Sequence, residues 1–259
     1  MDWSQKRCVV LDMDGTVYLG HIPIEGAVSF IQKHWDSLDF YFLSNNTSKS
    51  PLTYVDKLNG MGIAARQELL LSPVTPLVDF LRERGITRVY PVGNADFQRD
   101  LQGRMPELQL VEQGAQAVVL AYDTELTYHK LARSAVLLQD SSVLFLATHP
   151  DLVCPSPEGP LPDVGSFISL YATATGRKPQ YIFGKPDPAV LAPLLARYRK
   201  EEMVMVGDRL STDMQLARNA GIDSILVLSG EATRADLAHE QHQPTLVLEH
   251  LGHADKDWA

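Results

Sequence analysis

The sequence predicts an α/β fold: a parallel sheet covered by helices, with a second α/β unit inserted into it. Three observations lead there. Short apolar runs alternate with stretches that suit helices, the signature of strand–helix–strand units. Three of those runs stop abruptly at polar loops, namely Asp12-Met13-Asp14-Gly15-Thr16, Ser44-Asn45-Asn46-Thr47 and Gly207-Asp208-Arg209. These loops lie toward the two ends of the chain, whereas the middle, roughly 95–180, holds strand–helix units with no comparable acidic loop. The expected organisation is a discontinuous core, 1–94 and 181–259, around an inserted domain at 95–180.

Residues 8–11 are apolar, include two adjacent valines and read as a buried strand. Residues 25–33 suit a helix, 40–43 a second strand, and 52–61 a helix closed by Gly62. A short strand follows at 69–72, a helix at 76–84 stopped by Gly85, and a strand at 88–92 ending at Gly93. In the middle, 117–122 is strand-like, 128–138 carries Leu131, Ala135, Val136 and Leu138 at helical spacing, and 143–147 is a strand. Residues 151–165 are proline-rich and read as an irregular loop, and 167–175 is helical with Gly176 as its stop. Pro188 suits the first turn of a helix running to about Tyr198. A buried strand at 203–206, a helix at 212–220 and a strand at 224–228 complete the pattern, and the tail beyond about Glu249 reads as weakly structured.

Composition bounds the function. The chain has 259 residues, enough for one large or two modest domains. The net charge of -9 argues against a long basic footprint for a nucleic-acid polymer. An anionic substrate would need a local cation, a lysine or helix-end N–H groups. Cys8 and Cys154 form no metal pattern, and a reducing compartment is the simpler reading. No apolar targeting segment precedes the first motif, and no apolar run reaches membrane-spanning length. The expectation is a soluble, cytoplasmic protein with no membrane partner.

In an open parallel sheet, ligands bind beyond the carboxyl ends of the strands. There Asp12 and Asp14 stand two residues apart, and Asp208 supplies a third acid. Clustered carboxylates repel unless a cation or proton intervenes, and an all-oxygen set suits Mg²⁺. Lys185, held between Gly184 and Pro186, can neutralise an incoming phosphate. The Ser44 hydroxyl and the Asn45 backbone N–H can grip phosphate oxygens. Taken singly, each has a local alternative: a solvated loop aspartate, a surface lysine, a turn or helix N-cap. Asp213 either charges the first turn of the 212–220 helix or holds a metal-bound water. No GxxxxGK[ST] loop, no dinucleotide fingerprint after the first strand and no GxSxG elbow is present.

Asp12-Met13-Asp14-Gly15-Thr16, Ser44-Asn45, Gly184-Lys185-Pro186 and Gly207-Asp208-Arg209-Leu210-Ser211-Thr212-Asp213 resemble, in order and context, the four motifs of the haloacid dehalogenase superfamily. The stretch from Gly184 to Asp187 and the GDRLSTDM form resemble its branch of NagD-like and p-nitrophenyl phosphatases, with phosphoglycolate and pyridoxal phosphate phosphatases. The resemblance implies a Rossmann-like core with a C2-type α/β cap. It also implies Mg²⁺-dependent hydrolysis of small phosphate monoesters (sugar, nucleotide or related metabolites) through an aspartyl-phosphate. In that scheme Asp12 is the nucleophile, and Asp14 protonates the leaving oxygen and then deprotonates water. Ser44, the Asn45 N–H and Lys185 bind the phosphoryl group. Mg²⁺ is held by Asp12, Asp208 and the Asp14 main-chain carbonyl, Asp213 supports that shell through water, and Thr16 orders the loop.

The cap segment Ala147-Thr148-His149-Pro150-Asp151 resembles the family's Ala-Thr-Asn-x-Asp pattern, with His149 in place of asparagine. Leu161-Pro162-Asp163-Val164-Gly165 resembles a Pro-Gly-x-Gly loop, with Asp163 in place of a glycine. Such loops overhang the site in relatives, which makes His149, Asp151 and Asp163 the expected specificity residues. His149 would donate a hydrogen bond or charge to the leaving group, and Asp163 would disfavour a second anionic group. Their alternatives are a loop histidine packed beside Pro150 and a solvent-facing turn residue. Caps of this kind form dimer contacts in similar proteins, so a homodimer is expected. Two other functions share these motifs: a phosphomutase or phosphotransferase of the same superfamily, and a non-catalytic interaction protein that uses the cap as its binding face.

Overall fold

The computed structural model describes residues 3–156 and 158–256. By its internal contacts the chain forms two compact units, one of residues 1–44, 52–71 and 185–259, the other of 45–51 and 72–184. The first unit begins with strand β1 (Cys8–Asp12), a small hairpin of β2 (Tyr18–Leu19) and β3 (Ile22–Pro23), helix α1 (Ala27–His34), β4 (Asp39–Leu43), α2 (Pro51–Gly60) and β5 (Leu70–Leu71). The second unit supplies α3 (Val74–Glu83), β6 (Arg88–Val92), α4 (Ala95–Arg104), β7 (Gln109–Leu110), β8 (Ala117–Leu120), α5 (Tyr128–Leu137) and β9 (Leu144–Ala147). It ends with the β10 (Val153–Cys154) and β11 (Leu161–Pro162) hairpin, α6 (Val164–Thr175) and β12 (Tyr181–Ile182). The chain then returns to the first unit with α7 (Ala192–Leu195), β13 (Met203–Gly207), α8 (Gln215–Ala220), β14 (Asp223–Val227), α9 (Arg234–Leu237) and β15 (Leu246–Leu248).

In the first unit, six parallel strands lie in the order β15-β14-β13-β1-β4-β5. Side chains alternate faces along each strand. Val9, Leu11, Phe40, Phe42, Val204 and Val206 therefore pack on one face with Phe30 and Ile31 of α1. Cys8, Val10, Tyr41, Leu43, Met203 and Met205 pack on the other with Leu194 of α7 and Leu216 of α8. Covered on both faces, these strands read as continuous apolar runs, which is why the sequence shows them clearly. From β1 the chain moves outward through β4 to β5, and later outward on the opposite side from β13 to β15. The order reverses between β1 and β13, the position at which such sheets bind ligands.

The second unit carries its own parallel sheet, ordered β12-β9-β8-β6-β7. Val89, Val119 and Leu146 face Leu77 and Leu81 of α3 and Phe97 and Leu101 of α4. Val118, Leu120 and Phe145 face Val164 and Tyr171 of α6.

Several sequence expectations are corrected. The expected boundary at residue 95 falls too late. α3 and β6 belong to the second unit, because β6 pairs with β7 and β8 and α3 packs on their face. Residues 45–51 go with them: Thr47 Oγ1 accepts the Tyr122 N–H at 3.1 Å, and Asn94 Nδ2 donates to Ser48 O at 2.7 Å. The single helix expected from Pro188 is a 3-10 turn, Pro188–Leu191, followed by α7, since Pro193 lacks the N–H that a continuous helix needs. The 151–165 loop contains the β10–β11 hairpin, and α6 starts at Val164 because the Asp163 side chain caps it. The tail does not dangle. Leu251–Lys256 is a 3-10 turn whose Leu251 and Ala254 are buried in the first unit's core, and His34 and Lys33 both reach Asp255. The part of that tail at 257–259 lies outside the described residues. Neither Cys8 nor Cys154 is in a disulfide, and burial pushes the Cys8 thiol up to about 12. Among the described residues, no helix is long and apolar enough to cross a membrane.

Candidate active site

β1 ends at Asp12, and the backbone turns at once. The N–H groups of Val17 and Tyr18 both donate to Met13 O, at 2.9 and 3.2 Å, and Gly15 N donates to Tyr18 O at 2.8 Å. Gly15 has φ +85°, and a Cβ there would stand 2.4 Å from Asp208 Oδ2. Only glycine permits both that conformation and that approach of the β13 loop. The register sets Asp12 opposite Leu43 and Leu11 opposite Val206. Ser44 and Asp208 therefore follow strand ends that flank Asp12.

Lys185 Nζ donates to Asp12 Oδ1 and, at 2.7 Å, to Asp213 Oδ1. Asp213 Oδ2 accepts the Arg209 N–H at 3.0 Å, closing the π-helical turn Leu210–Met214 that runs into α8. A Cβ on Gly207 would fall 2.3 Å from Asp213 Cγ, so the β13 end must be bare for this carboxylate to turn inward. Asp208 Oδ2 accepts the Glu231 N–H at 2.7 Å, and Ser229 Oγ donates to Gly15 O at 2.7 Å. The loops after β1, β13 and β14 are thus tied together. Asp12, Lys185, Asp208 and Asp213 are all buried.

One ammonium sits among three carboxylates, and each of Asp12, Asp208 and Asp213 offers an oxygen within 4.8 Å of the others. Burial raises the Asp12 carboxyl well above its ordinary range; Lys185 opposes this, and Asp213 and Asp208 add to it. Asp208 is pushed up to about 6, by burial first and then by Asp213. For Lys185, burial pulls downward, but Asp12 and Asp213 outweigh it and hold the ammonium well above its usual value. Asp208 Oδ1 is buried with no hydrogen-bond partner among the described residues. Excess negative charge, an all-oxygen donor set and an orphaned carboxylate oxygen together fit a hard divalent cation.

The remaining expected residues fall as follows. Asp14 is exposed, its side chain outside that carboxylate group. Thr16 is fully buried and its hydroxyl has no partner among the described residues, so the loop is ordered through its backbone. Ser44 is half-buried and its N–H donates to Leu71 O at 3.2 Å. Asn45 opens the second unit, where its Nδ2 donates to Asp151 Oδ2 at 3.1 Å. His149 and Asp163 are buried against each other, Nε2 to Oδ1 at 3.0 Å, rather than presented at a surface. Sequence reasoning missed Thr212, whose buried hydroxyl has no partner among the described residues, and Glu231, whose N–H holds Asp208 and whose carboxylate meets Arg209 Nε at 2.9 Å. Thr212 lies inside the acidic motif that runs from Gly207 to Asp213, whereas nothing local marks Glu231.

A family model of haloacid dehalogenase-like hydrolases matches residues 9–104, and a HAD-hydrolase-like model matches 182–254. An acid sugar phosphatase of Staphylococcus aureus is 31% identical over 258 residues, covering 97% of each chain. The solved structure of a 4-nitrophenylphosphatase from Thermotoga maritima is 36% identical, covers 99% of each chain and superposes with a TM-score of 0.93. A glycerol phosphate phosphatase of Mycobacterium tuberculosis, solved in complex with magnesium, is 28% identical with a TM-score of 0.87, covering 96% of this chain and 77% of that one. The sheet order, the acidic loops at its switch point and these likenesses lead to one conclusion: the chain belongs to the haloacid dehalogenase-like hydrolases, in the NagD and p-nitrophenyl phosphatase-like branch with an inserted α/β cap.

Proposed function

We propose that this phosphatase hydrolyses small phosphate monoesters with Asp12 as its nucleophile. The observation that carries the reading is the buried bridge from Lys185 Nζ to both Asp12 and Asp213. It holds a carboxylate at the β1 end beside a cation that can receive a phosphoryl group. A carboxylate oxygen of Asp12 attacks phosphorus, a P–O bond forms, and the bond to the leaving oxygen breaks. Asp14, whose carboxyl is exposed beyond the strand end, gives its proton to that leaving oxygen. It then takes a proton from water as the water oxygen attacks phosphorus, and the Asp12–phosphoryl bond breaks to release phosphate and the free carboxylate. The Ser44 hydroxyl, the Asn45 N–H and Lys185 bind the phosphoryl oxygens throughout.

Mg²⁺ is the cation of this reading: Asp12, Asp208 and the Asp14 carbonyl would hold it, and it would supply charge neutralisation between carboxylate and phosphate dianion. Asp213 orients Lys185 by accepting from its Nζ, and it would support the metal shell through water. Support for Mg²⁺ comes from the oxygen-only donor set and from the magnesium complex of the mycobacterial relative. The similar acid sugar and glycerol phosphate phosphatases favour a small sugar- or polyol-type leaving group. A homodimer belongs to the same reading, supported by exposed Leu152, Val153 and Leu161 on and beside the β10–β11 hairpin, and sedimentation would test it.

Chelation should abolish p-nitrophenyl phosphate hydrolysis and added Mg²⁺ should restore it. Asp12→Asn should remain folded and inactive, and turnover by that variant at the wild-type rate would overturn the mechanism. A panel of phosphorylated metabolites would identify the leaving group.

A further inference from the structure

His149 and Asp163, the two cap departures from the family pattern, meet inside the second unit. His149 Nε2 lies 3.0 Å from Asp163 Oδ1, and Nδ1 lies 2.9 Å from Thr148 Oγ1. An ionised carboxylate only accepts, so Nε2 carries the proton and, in the neutral ring, Nδ1 accepts from the Thr148 hydroxyl. Both ring nitrogens are therefore taken up within the unit, and His149 and Thr148 are fully buried. Asp163 Oδ1 also accepts the Val164 N–H at 2.7 Å. One carboxylate oxygen thus fixes the start of α6 and the imidazole that follows β9.

The neighbouring backbone leaves no slack. Gly165 N donates to Asp151 O at 2.8 Å, and a Cβ on Gly165 would stand 2.3 Å from Pro150 O. A Cβ on Gly184 would stand 2.5 Å from Asn45 Oδ1 and 2.9 Å from His149 Cβ. The loop 148–151 is clamped between the α6 start and Gly184, and from it Asp151 Oδ2 accepts Asn45 Nδ2 at 3.1 Å. His149, Asp151 and Asp163 also offer ligand atoms within 4.8 Å of one another. The His149–Asp163 hydrogen bond accounts for the closeness of that pair without an ion.

We propose that His149 and Asp163 are a positioning pair for Asn45. They lock the loop that carries Asp151, and Asp151 holds the Asn45 side chain, which fixes the backbone N–H that follows β4. The proposal rests on the functional reading above, in which that N–H binds the phosphoryl group. It removes His149 and Asp163 from contact with the leaving group and gives them an indirect task.

The test uses His149→Phe and Asp163→Ser; the serine keeps a hydroxyl to cap α6 but is too short for the imidazole. Each should lower kcat/KM for p-nitrophenyl phosphate by about tenfold to a hundredfold, the scale on which misplaced binding groups act. The loss should be the same factor with glycerol phosphate as with p-nitrophenyl phosphate, and should vanish when the change is made on top of Asn45→Ala. Asp163→Asn keeps the acceptor oxygen and should retain most activity, a rescue that covers the case in which the harsher variants fold poorly. The Asn45 side-chain amide resonance, followed by NMR, should move in both harsher variants and stay in place in Asp163→Asn. A loss that depends on the leaving group would instead make His149 a substrate contact and overturn the proposal. So would losses that persist in full on Asn45→Ala, or an Asn45 amide signal indifferent to both variants. The amide signal is independent of turnover: an inert wild type would sink the functional reading while the resonance still decides the positioning claim.

Discussion

Replacing Lys185 with methionine removes the ammonium that pairs with Asp12 and Asp213 in a group of three buried carboxylates. At 2.7 Å from Asp213, Coulomb's law with an effective dielectric of about 20 gives an attraction of about 6 kcal/mol. Two carboxylate oxygens no more than 4.8 Å apart repel on the same scale by about 3.5 kcal/mol or more. Relief of the lysine's own desolvation offsets part of the loss, and broken buried pairs typically cost about 3–5 kcal/mol. In chelator, Lys185→Met should therefore melt lower than wild type by on the order of 10 °C, given about 2–4 °C per kcal/mol for a chain of this size. Excess Mg²⁺ should recover part of that, because a cation bound to the folded state stabilises it by mass action. Activity on p-nitrophenyl phosphate should fall by about 10²–10³ in kcat, the usual loss of a group that stabilises transition-state charge. Lys185→Arg should rescue little, since a planar guanidinium fork does not reproduce the compact point charge that bridges Asp12 and Asp213. The reasoning is refuted if Lys185→Met keeps kcat/KM within about threefold of wild type and melts with it in chelator.

Three other outcomes follow from the same geometry. Burial first, and then Asp213, push Asp208 up to about 6, above the ordinary carboxylate value, so the folded chain binds a proton that the unfolded chain releases. Its contribution to stability is absent below about pH 4 and becomes destabilising as pH rises from about 4 through about 6; Asp208→Asn should therefore melt above wild type near neutral pH in chelator, with the difference closing in acid. Lys6, buried beside β1, donates to Glu201 O at 2.6 Å and pairs with Asp223 at 2.6 Å, so Lys6→Met should cost about 3 kcal/mol in denaturant melts while kcat of the folded fraction stays unchanged. Gly207→Ala drives a methyl into the Asp213 carboxylate at 2.3–2.5 Å and should lower kcat through loss of the Lys185 anchor, an effect read by comparison with Asp213→Asn, which should show the same kcat.

The strands of the first unit were legible because burial on both faces leaves apolar runs such as Cys8-Val9-Val10-Leu11 with nothing polar to interrupt them. Their sheet partners were less so. The run at 88–92 announces a strand, but nothing in Arg88-Val89-Tyr90-Pro91-Val92 says which sheet it joins, and the pairing with β8 depends on contacts distant in sequence. α4 escaped notice because Ala95–Arg104 is dominated by polar and charged residues and buries only Phe97 and Leu101 fully. The tail reads as polar and small, yet a close pass of Gly252 against Gly26 brings Leu251 and Ala254 into the core.

In the site, the acids and the lysine stood out because loops at strand ends concentrate polar residues that the strands exclude. Their pairings did not. Asp213 holding Lys185, and Asp163 holding His149 fourteen residues away, are bonds across loops, visible only once the chain has folded. The departures at 149 and 163 could be noticed one at a time in the sequence, while their mutual compensation belongs to tertiary structure.

The most direct measurement is chemical trapping of the phosphorylated enzyme. Protein quenched in acid during turnover of p-nitrophenyl phosphate would be reduced with borohydride, which converts an acyl-phosphate to an alcohol, and the peptides read by mass spectrometry. The account predicts homoserine at position 12, dependent on substrate and absent from Asp12→Asn. An unmodified Asp12 during active turnover, or reduction at another carboxylate in its place, would contradict it.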